Sequence, residues 1–296
     1  MLKKIGVYAF LVLAAILSLF PFYFMFVSGT NTNAEILAAP PRLLPGSMLS
    51  QNFSILVEKM DIFRVAFNTL FISVVFTVLA LMLYSAAGYV LAKFEFKGKG
   101  LIFSFIMVSM MIPPQVMYVP LFQLFVSVGM TNTYTAVILP ALANAFGIFL
   151  MRQNMMNFPT ALVEAARIDG YSEFGIFCRI VLPNVKPALS ALVIYMFTSM
   201  WNNFMWPLIV LETKEMYNFP VALAVLDGNP TNKDFAVILL ATAIATLPIL
   251  IIFWNTMKII RIGRVAIAVA TLPILIIFMV FQKQFVAGVM GGAVKE

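Results

Sequence analysis

The sequence predicts an all-α polytopic membrane protein, on two observations. The apolar residues are gathered into long charge-free blocks, and the basic residues collect in the short loops between alternate pairs of blocks. Of 296 residues, 62% are hydrophobic and 10% charged, with a mean hydropathy of +1.01; a soluble domain carries about a quarter charged residues. Residues 5–27, 65–92, 101–125, 134–151, 187–211 and 235–257 contain no Asp, Glu, Lys or Arg. About twenty apolar residues take a helix across the hydrocarbon core, so each block is a candidate span.

The net charge of +7 reads as topology, with no nucleic-acid partner expected. With Lys3 and Lys4 on the cytoplasmic side, alternation puts Lys93, Lys97, Lys99, Arg152, Arg167, Arg179, Lys186, Lys258, Arg261 and Arg264 on that side as well. The outer side keeps Arg42, Lys59, Arg64, Lys214 and Lys233 among seven acidic residues, from Glu35 to Asp234. Loops rich in Lys and Arg stay inside, which places the N-terminus in the cytoplasm. The first block is longer than a signal-peptide core and lacks a small-x-small cleavage site, so it reads as an uncleaved span. Cys178 is the sole cysteine, so no internal disulfide forms, and the absence of histidine excludes His-dependent catalysis and His-ligated metal or haem.

The elements follow in order. Residues 28–64 form a polar outer segment with turn signals at Pro40-Pro41 and Pro45-Gly46. The second span ends in a basic turn, Lys93 to Gly100, and the third contains Pro113-Pro114, which remove two backbone donors and break the helix. That break either eases packing or turns carbonyls toward a water-filled path. The fourth span returns to Arg152 and leads into the longest cytoplasmic insert, 153–187. The fifth carries Trp201-Asn202-Asn203-Phe204-Met205-Trp206, and the sixth runs inward to Lys258. Ala245-Thr-Leu-Pro-Ile-Leu-Ile-Ile-Phe253 recurs unchanged at 270–278, which leaves a candidate seventh hydrophobic helix at 265–281. Three regions follow: 1–64, a first helix with its outer segment; 65–257, the core, with a helical insert at 158–183; and 258–296, the duplicated segment and tail.

The insert predicts two short helices around a glycine. Pro159 suits a helix start, and Gly170 suits a left-handed helix end. Ser172 can cap the second helix, with Glu173 at its positive end, and Pro183 stops it. Small residues at Ala165 and Ala166 let another surface approach closely. The geometry fits either a docking knob or an ordinary helical loop.

Glu164-Ala165-Ala166, then Asp169-Gly170, then Ile180-Val-Leu182-Pro183 resemble the EAA signature of ABC-importer permeases. The resemblance implies a type I importer transmembrane domain with six core helices. It also implies that Glu164, Ala165, Ala166, Asp169, Gly170, Ile180, Leu182 and Pro183 belong to coupling helices seated in a separate ATP-binding subunit. Met111 to Phe122, Asn132-Thr-Tyr134, Trp201 to Leu208, Phe219 to Leu223 and the tail 282–295 are similar to the carbohydrate branch, specifically MalG-type permeases. The implied partners are a MalF-like second permease subunit, an ATP-binding subunit dimer and an extracytoplasmic solute-binding protein. The implied location is the bacterial inner membrane, in contact with lipid, and the implied task is inward movement of a sugar or oligosaccharide, or of a non-sugar solute. ATP and Mg would bind the partner ATPase, leaving this chain without catalytic residues, cofactor or metal. The segment 254–271 looks inserted relative to that family.

Asn202 and Asn203 stand in an apolar span, where amides need partners. Beside Trp201 and Trp206 they suit sugar hydroxyls and C–H faces; alternatively the amides bond neighbouring helices and the tryptophans mark the outer interface. Gln115 and Asn144 are further path candidates. An ion-coupled transporter would carry charges within its spans, and these spans carry essentially none. A membrane enzyme would need a nucleophile–base or metal constellation. The chain contains neither, and no Gly-x-x-x-x-Gly-Lys phosphate loop.

Overall fold

A computed structural model describes residues 2–228 and 233–259, and every regular element among them is helical. The helix α1 (Leu2–Ser28) precedes the short α2 (Asn33–Leu37) and α3 (Leu49–Lys59), then the long α4 (Ile62–Lys93). Next come α5 (Lys99–Ser109), α6 (Pro114–Ser127), α7 (Tyr134–Ala141) and α8 (Ala145–Met156). The insert contributes α9 (Thr160–Ile168), α10 (Glu173–Ile176), a π-helical turn (Phe177–Val181) and α11 (Leu182–Asn184). The series closes with α12 (Lys186–Trp201), α13 (Met205–Val210), α14 (Phe219–Asp227) and α15 (Phe235–Ile259). The second repeat copy, the candidate helix at 265–281 and the tail lie outside the described residues.

Among the described residues, α4 is the one helix long and apolar enough to cross a membrane unbroken. The pairs α5–α6 and α7–α8 meet that test only jointly, bent by 96° and 47°; residues 173–184 and 186–210 form a third such pair, bent by 84°. Val12–Ser28 and Phe235–Ile251 are shorter apolar helices. The α5–α6 break falls at the prolines, with Pro113 extended and Pro114 opening α6. Two other breaks interrupt blocks that the hydropathy pattern runs together. At 142–144 the Asn144 side chain accepts the Gly147 N–H at 3.1 Å and starts a new helix. At 202–204 the chain turns between α12 and α13.

The chain divides into two units, 63–222 and a second made of the segments before and after it. In the central unit, Ile72, Phe76, Ala80 and Tyr84 stand four residues apart on one face of α4. They join Met151 and Met155 of α8, Leu192 and Met196 of α12, and Trp206 and Val210 of α13 in one buried cluster. Close approach depends on Gly147, where a Cβ would lie 2.2 Å from the Tyr84 ring. Carbonyls released by broken helices find side-chain donors, as hydrocarbon depth demands. Pro140 has no N–H to offer Ala136 O, and Trp206 Nε1 donates there instead at 2.8 Å. Tyr84 Oη donates to Leu142 O at 3.0 Å, and Asn218 Nδ2 to Asn203 O at 2.7 Å.

In the flanking unit, α1 pairs with α15, which also packs on α2 and α3. The polar stretch after α1 is stitched by buried amides. Asn31 Nδ2 donates to Val27 O and Leu44 O, both at 3.1 Å, and Asn52 Nδ2 to Gly29 O and Asn31 O at 2.9 and 3.0 Å. Thr32 and Glu35 form a reciprocal capping box at the start of α2, and Arg42 pairs with the Glu35 carboxylate. Asn33 Oδ1 accepts the Ala236 N–H at 3.0 Å, opening α15.

Candidate functional site

The insert folds as a helical hairpin whose turn is set by Gly170. Its φ of +82° is left-handed, and α9 closes in a Schellman motif: Tyr171 N–H donates to Ala166 O at 3.0 Å and Gly170 N–H to Arg167 O at 3.1 Å. Ser172 then caps α10, accepting the Gly175 N–H at 3.2 Å. The second arm does not stop at Pro183 but runs through it to Asn184. Pro183 offers no N–H to Arg179 O and its ring crowds that carbonyl. The turn before it widens to π geometry, with Leu182 N–H reaching Phe177 O.

The hairpin has two faces. Val163, Ala166, Ile176 and Val181 are buried. Glu164, Ala165, Asp169, Gly170 and Pro183 are exposed, and Ile180 and Leu182 are half-buried. Two large apolar residues stand out on the open side, Ile168 at 87% and Phe174 at 75% exposure. Exposed apolar residues on the spans can meet lipid, whereas Ile168 lies outside every candidate span and Phe174 in the first turn of the 173–184 segment, so Ile168 needs another cover.

The last turns of α4 hold this hairpin. Tyr89 Oη donates to Glu173 Oε2 at 3.1 Å, and the other carboxylate oxygen accepts Arg167 Nε at 2.5 Å. The Tyr89 ring lies 5.3 Å from Phe177 of the π turn and 5.6 Å from Phe94. One turn further on, Lys93 Nζ donates to Phe158 O, and to Thr160 Oγ1 at 3.2 Å, at the hairpin's entry. The Arg167 guanidinium beside Glu173 holds that carboxyl below the usual carboxylate range, and Tyr89 adds to the effect. Hydropathy patterning misses Tyr89, Lys93 and this use of Glu173. Their one sequence signal is a polar-ended aromatic and a lysine four apart at a span's end.

The path candidates make local contacts. Asn144 caps α8, Asn202 Nδ2 donates to Thr198 O of its own helix at 2.9 Å, and Asn203 Nδ2 lies 3.8 Å from Met200 Sδ. Gln115 is exposed at the start of α6. Both tryptophans are buried: Trp201 lies against Phe197 and Phe219, and Trp206 between Tyr118 and Phe125. Among the described residues, no group of three or more Cys, Asp or Glu side chains is placed to hold a metal.

At the opposite end of α4, neutral side chains make most of the bonds, joined by Arg64, whose Nε donates to Glu215 O at 3.1 Å. Asn68 is buried, with Nδ2 donating to Glu215 O and Tyr217 O at 2.8 and 3.0 Å while Oδ1 accepts Tyr134 Oη at 2.7 Å. Thr69 Oγ1 accepts the Phe219 N–H at 2.9 Å. Asn132, itself left-handed at φ 54°, accepts the N–H groups of Glu212 and Thr213 through Oδ1. These bonds fasten the 212–219 segment to α4 and to the turn before α7.

Residues 84–291 match the family of binding-protein-dependent transport system inner membrane components. The chain is 35% identical over 295 residues, 99% of its length and 96% of the relative's, to the arabinooligosaccharides transport system permease protein AraQ of Bacillus subtilis. It is 34% identical to the lactose transport system permease protein LacG of Rhizobium radiobacter, covering 87% of this chain and 93% of that one. The sn-glycerol-3-phosphate transport system permease protein UgpE of Escherichia coli O1:K1 is 32% identical over 70% of this chain and 75% of its own. Among solved structures, a bacterial ABC transporter involved in import of the acidic polysaccharide alginate has a chain that superposes with a TM-score of 0.76. It is 22% identical and covers 87% of this chain and 96% of that one. The chain belongs to the binding-protein-dependent transport system inner membrane components. It is a membrane-embedded transport permease with the fold of an ABC importer transmembrane domain.

Proposed function

We propose that this chain is the permease subunit of an ATP-driven importer that carries a sugar or oligosaccharide inward. Its 158–184 hairpin docks on a separate ATP-binding subunit. Glu164, Ala165, Asp169 and Gly170 form the contact; Ala166, which the sequence pattern groups with them, is buried beneath it, and Ile180, Leu182 and Pro183 stand in the supporting arm. ATP and Mg bind on that subunit, which acts as a dimer. A MalF-like permease completes the membrane channel, and an extracytoplasmic solute-binding protein delivers the solute from the side opposite the N-terminus. The observation that carries the docking is the open face of the hairpin. Ile168 and Phe174 are exposed there, Ile168 one helical turn from exposed Glu164 and outside every candidate span. A soluble partner that buries them gains about 25 cal/mol for each Å² of apolar surface covered.

The test replaces Glu164 by Lys and Gly170 by Val. Both variants insert, yet solute uptake per ATP hydrolysed falls. Normal uptake together with normal co-purification of the ATPase in both would overturn the docking. The sugar reading draws on AraQ and LacG, at 35% and 34% identity. A deletion strain should lose growth on arabinooligosaccharides or another oligosaccharide in a panel. Growth retained on all of them, with uptake of glycerol 3-phosphate lost, selects a polyol-phosphate importer, the reading the UgpE relative favours. Gln115, Asn144, Trp201, Asn202, Asn203 and Trp206 stand as path candidates, each to be scored by solute KM in the same strain.

A further inference from the structure

Docking alone does not explain how motion leaves the hairpin, and α4 supplies the route. It is an unbroken helix of 32 residues, about 48 Å long at 1.5 Å per residue, and each end is fastened to a different loop. At one end Tyr89 and Lys93, on one face, hold the hairpin at its middle and at its entry. At the other end Asn68 and Thr69 hold the segment beginning at Glu212. Between the ends, the Ile72–Phe76–Ala80–Tyr84 stripe is buried in the central cluster, so the helix moves with its neighbours as a rigid body and does not flex alone.

We propose that Tyr89 is a positioning residue that converts displacement of the hairpin into displacement of α4, and that α4 passes it to the 212–219 segment through Asn68. The proposal rests on the docking reading above. The hydrogen bond is the specific element. The Glu173 carboxylate joins the hairpin's two arms through Arg167 and joins the hairpin to α4 through Tyr89 Oη, so one group ties the turn and the lever together. Phe177 against the Tyr89 ring makes the same link to the π turn. A hairpin pushed by its partner therefore carries Tyr89 with it.

The experiment uses the assembled transporter, isolated through a tag on the ATPase subunit so that only docked complexes are read. In a Cys178→Ser background, Glu215→Cys sets a single exposed reporter in the 212–219 segment. Its rate of labelling by a maleimide is measured before and after addition of ATP with vanadate. Nucleotide trapping changes the labelling rate in the parent, and Tyr89→Phe, which deletes one hydroxyl, shrinks that change by roughly two- to tenfold, the weight of one hydrogen bond. Glu173→Gln, which keeps an acceptor for Tyr89 but weakens the Arg167 bond, shrinks it less. A parent that shows no nucleotide-dependent change overturns the lever, as does a Tyr89→Phe change equal to the parent's. If Gly170→Val still shows the full change, the docking reading itself falls. If Gly170→Val loses it while Tyr89→Phe keeps it, docking stands and the lever falls. A structural defect would alter labelling without nucleotide, which the paired measurement separates.

Discussion

The two ends of α4 are gripped by different chemistry. Toward the 212–219 segment the bonds run mainly between neutral groups: buried Asn68 to Glu215 O, Tyr217 O and Tyr134 Oη, and half-buried Asn132 to Glu212 and Thr213 N–H, with Arg64 Nε also donating to Glu215 O. Toward the hairpin they involve charges, Tyr89 Oη to the Glu173 carboxylate and Lys93 Nζ to Phe158 O and Thr160 Oγ1, and Glu173 is itself paired within the hairpin to Arg167, the two at 41% and 38% side-chain exposure. Neutral buried bonds hold permanently, because breaking one strands groups that water cannot reach. Exposed ion pairs are worth about 0.2–1 kcal/mol and are screened by salt. One end is indifferent to salt and acid and the other yields to both, while at neutral pH its bonds stay closed and carry α4 with the hairpin.

The comparison breaks most visibly at Asn68. Asn68→Ala strands Tyr134 Oη and Tyr217 O, while Glu215 O keeps Arg64 Nε as a donor, at about 2 kcal/mol. Thermal unfolding in detergent should show a clear drop in Tm, and an unchanged midpoint would mean that the neutral end is not the firm one.

Asn132 comes next. Its left-handed φ costs about 1 kcal/mol or more for Ala, and its side chain fastens the 212–213 backbone. Asn132→Ala loses both conformation and bonds, while Asn132→Gly restores only the conformation. Labelling of a reporter at Glu215 should rise in both variants, more in Ala than in Gly. Equal rates would assign the whole effect to the bonds.

Gly170 is the corresponding left-handed turn at the yielding end, and there a Cβ meets nothing within 4 Å. Gly170→Ala therefore costs backbone strain alone, about 1 kcal/mol, and should weaken ATPase co-purification severalfold without loss of the folded permease. A longer residue that is not β-branched adds interference with the docked partner at similar backbone strain, so Gly170→Gln should exceed Gly170→Ala in co-purification loss with a similar Tm, whereas Gly170→Val lowers Tm further because a β-branched residue tolerates positive φ poorly.

Much of this asymmetry was within reach of the sequence, and the remainder was not for identifiable reasons. The charge-free blocks locate the span regions, because desolvation of charge in hydrocarbon is too costly to leave any inside. Gly170 and Ser172 announce the hairpin, because φ above zero and helix capping restrict residue choice strongly. The break at 142–144 has no proline at its centre, and its cap, Asn144, reads equally as a buried amide awaiting a ligand. Asn68 pairs with groups about 150 positions away, and no local pattern encodes such a partner. The π turn needs Pro183 to be weighed against the carbonyl four residues before it and not only as a helix stop.

The smallest effect is the pH response of the yielding end. Glu173 has its folded pKa lowered, chiefly by the Arg167 hydrogen bond. The unfolded carboxyl therefore binds its proton first as the pH falls. The stabilisation is complete above the ordinary carboxylate range and is lost as the pH drops through the lowered Glu173 value. With both partners half-exposed, the loss stays below about 1 kcal/mol. Amide-exchange protection across 170–176, corrected for intrinsic rates, should decline on acidification and in high salt. Protection across 212–219 should hold over the same interval, since none of the bonds named there joins a group that titrates in acid. Glu173→Gln should flatten the acid response of the hairpin, and a response that persists in that variant would assign it to another group.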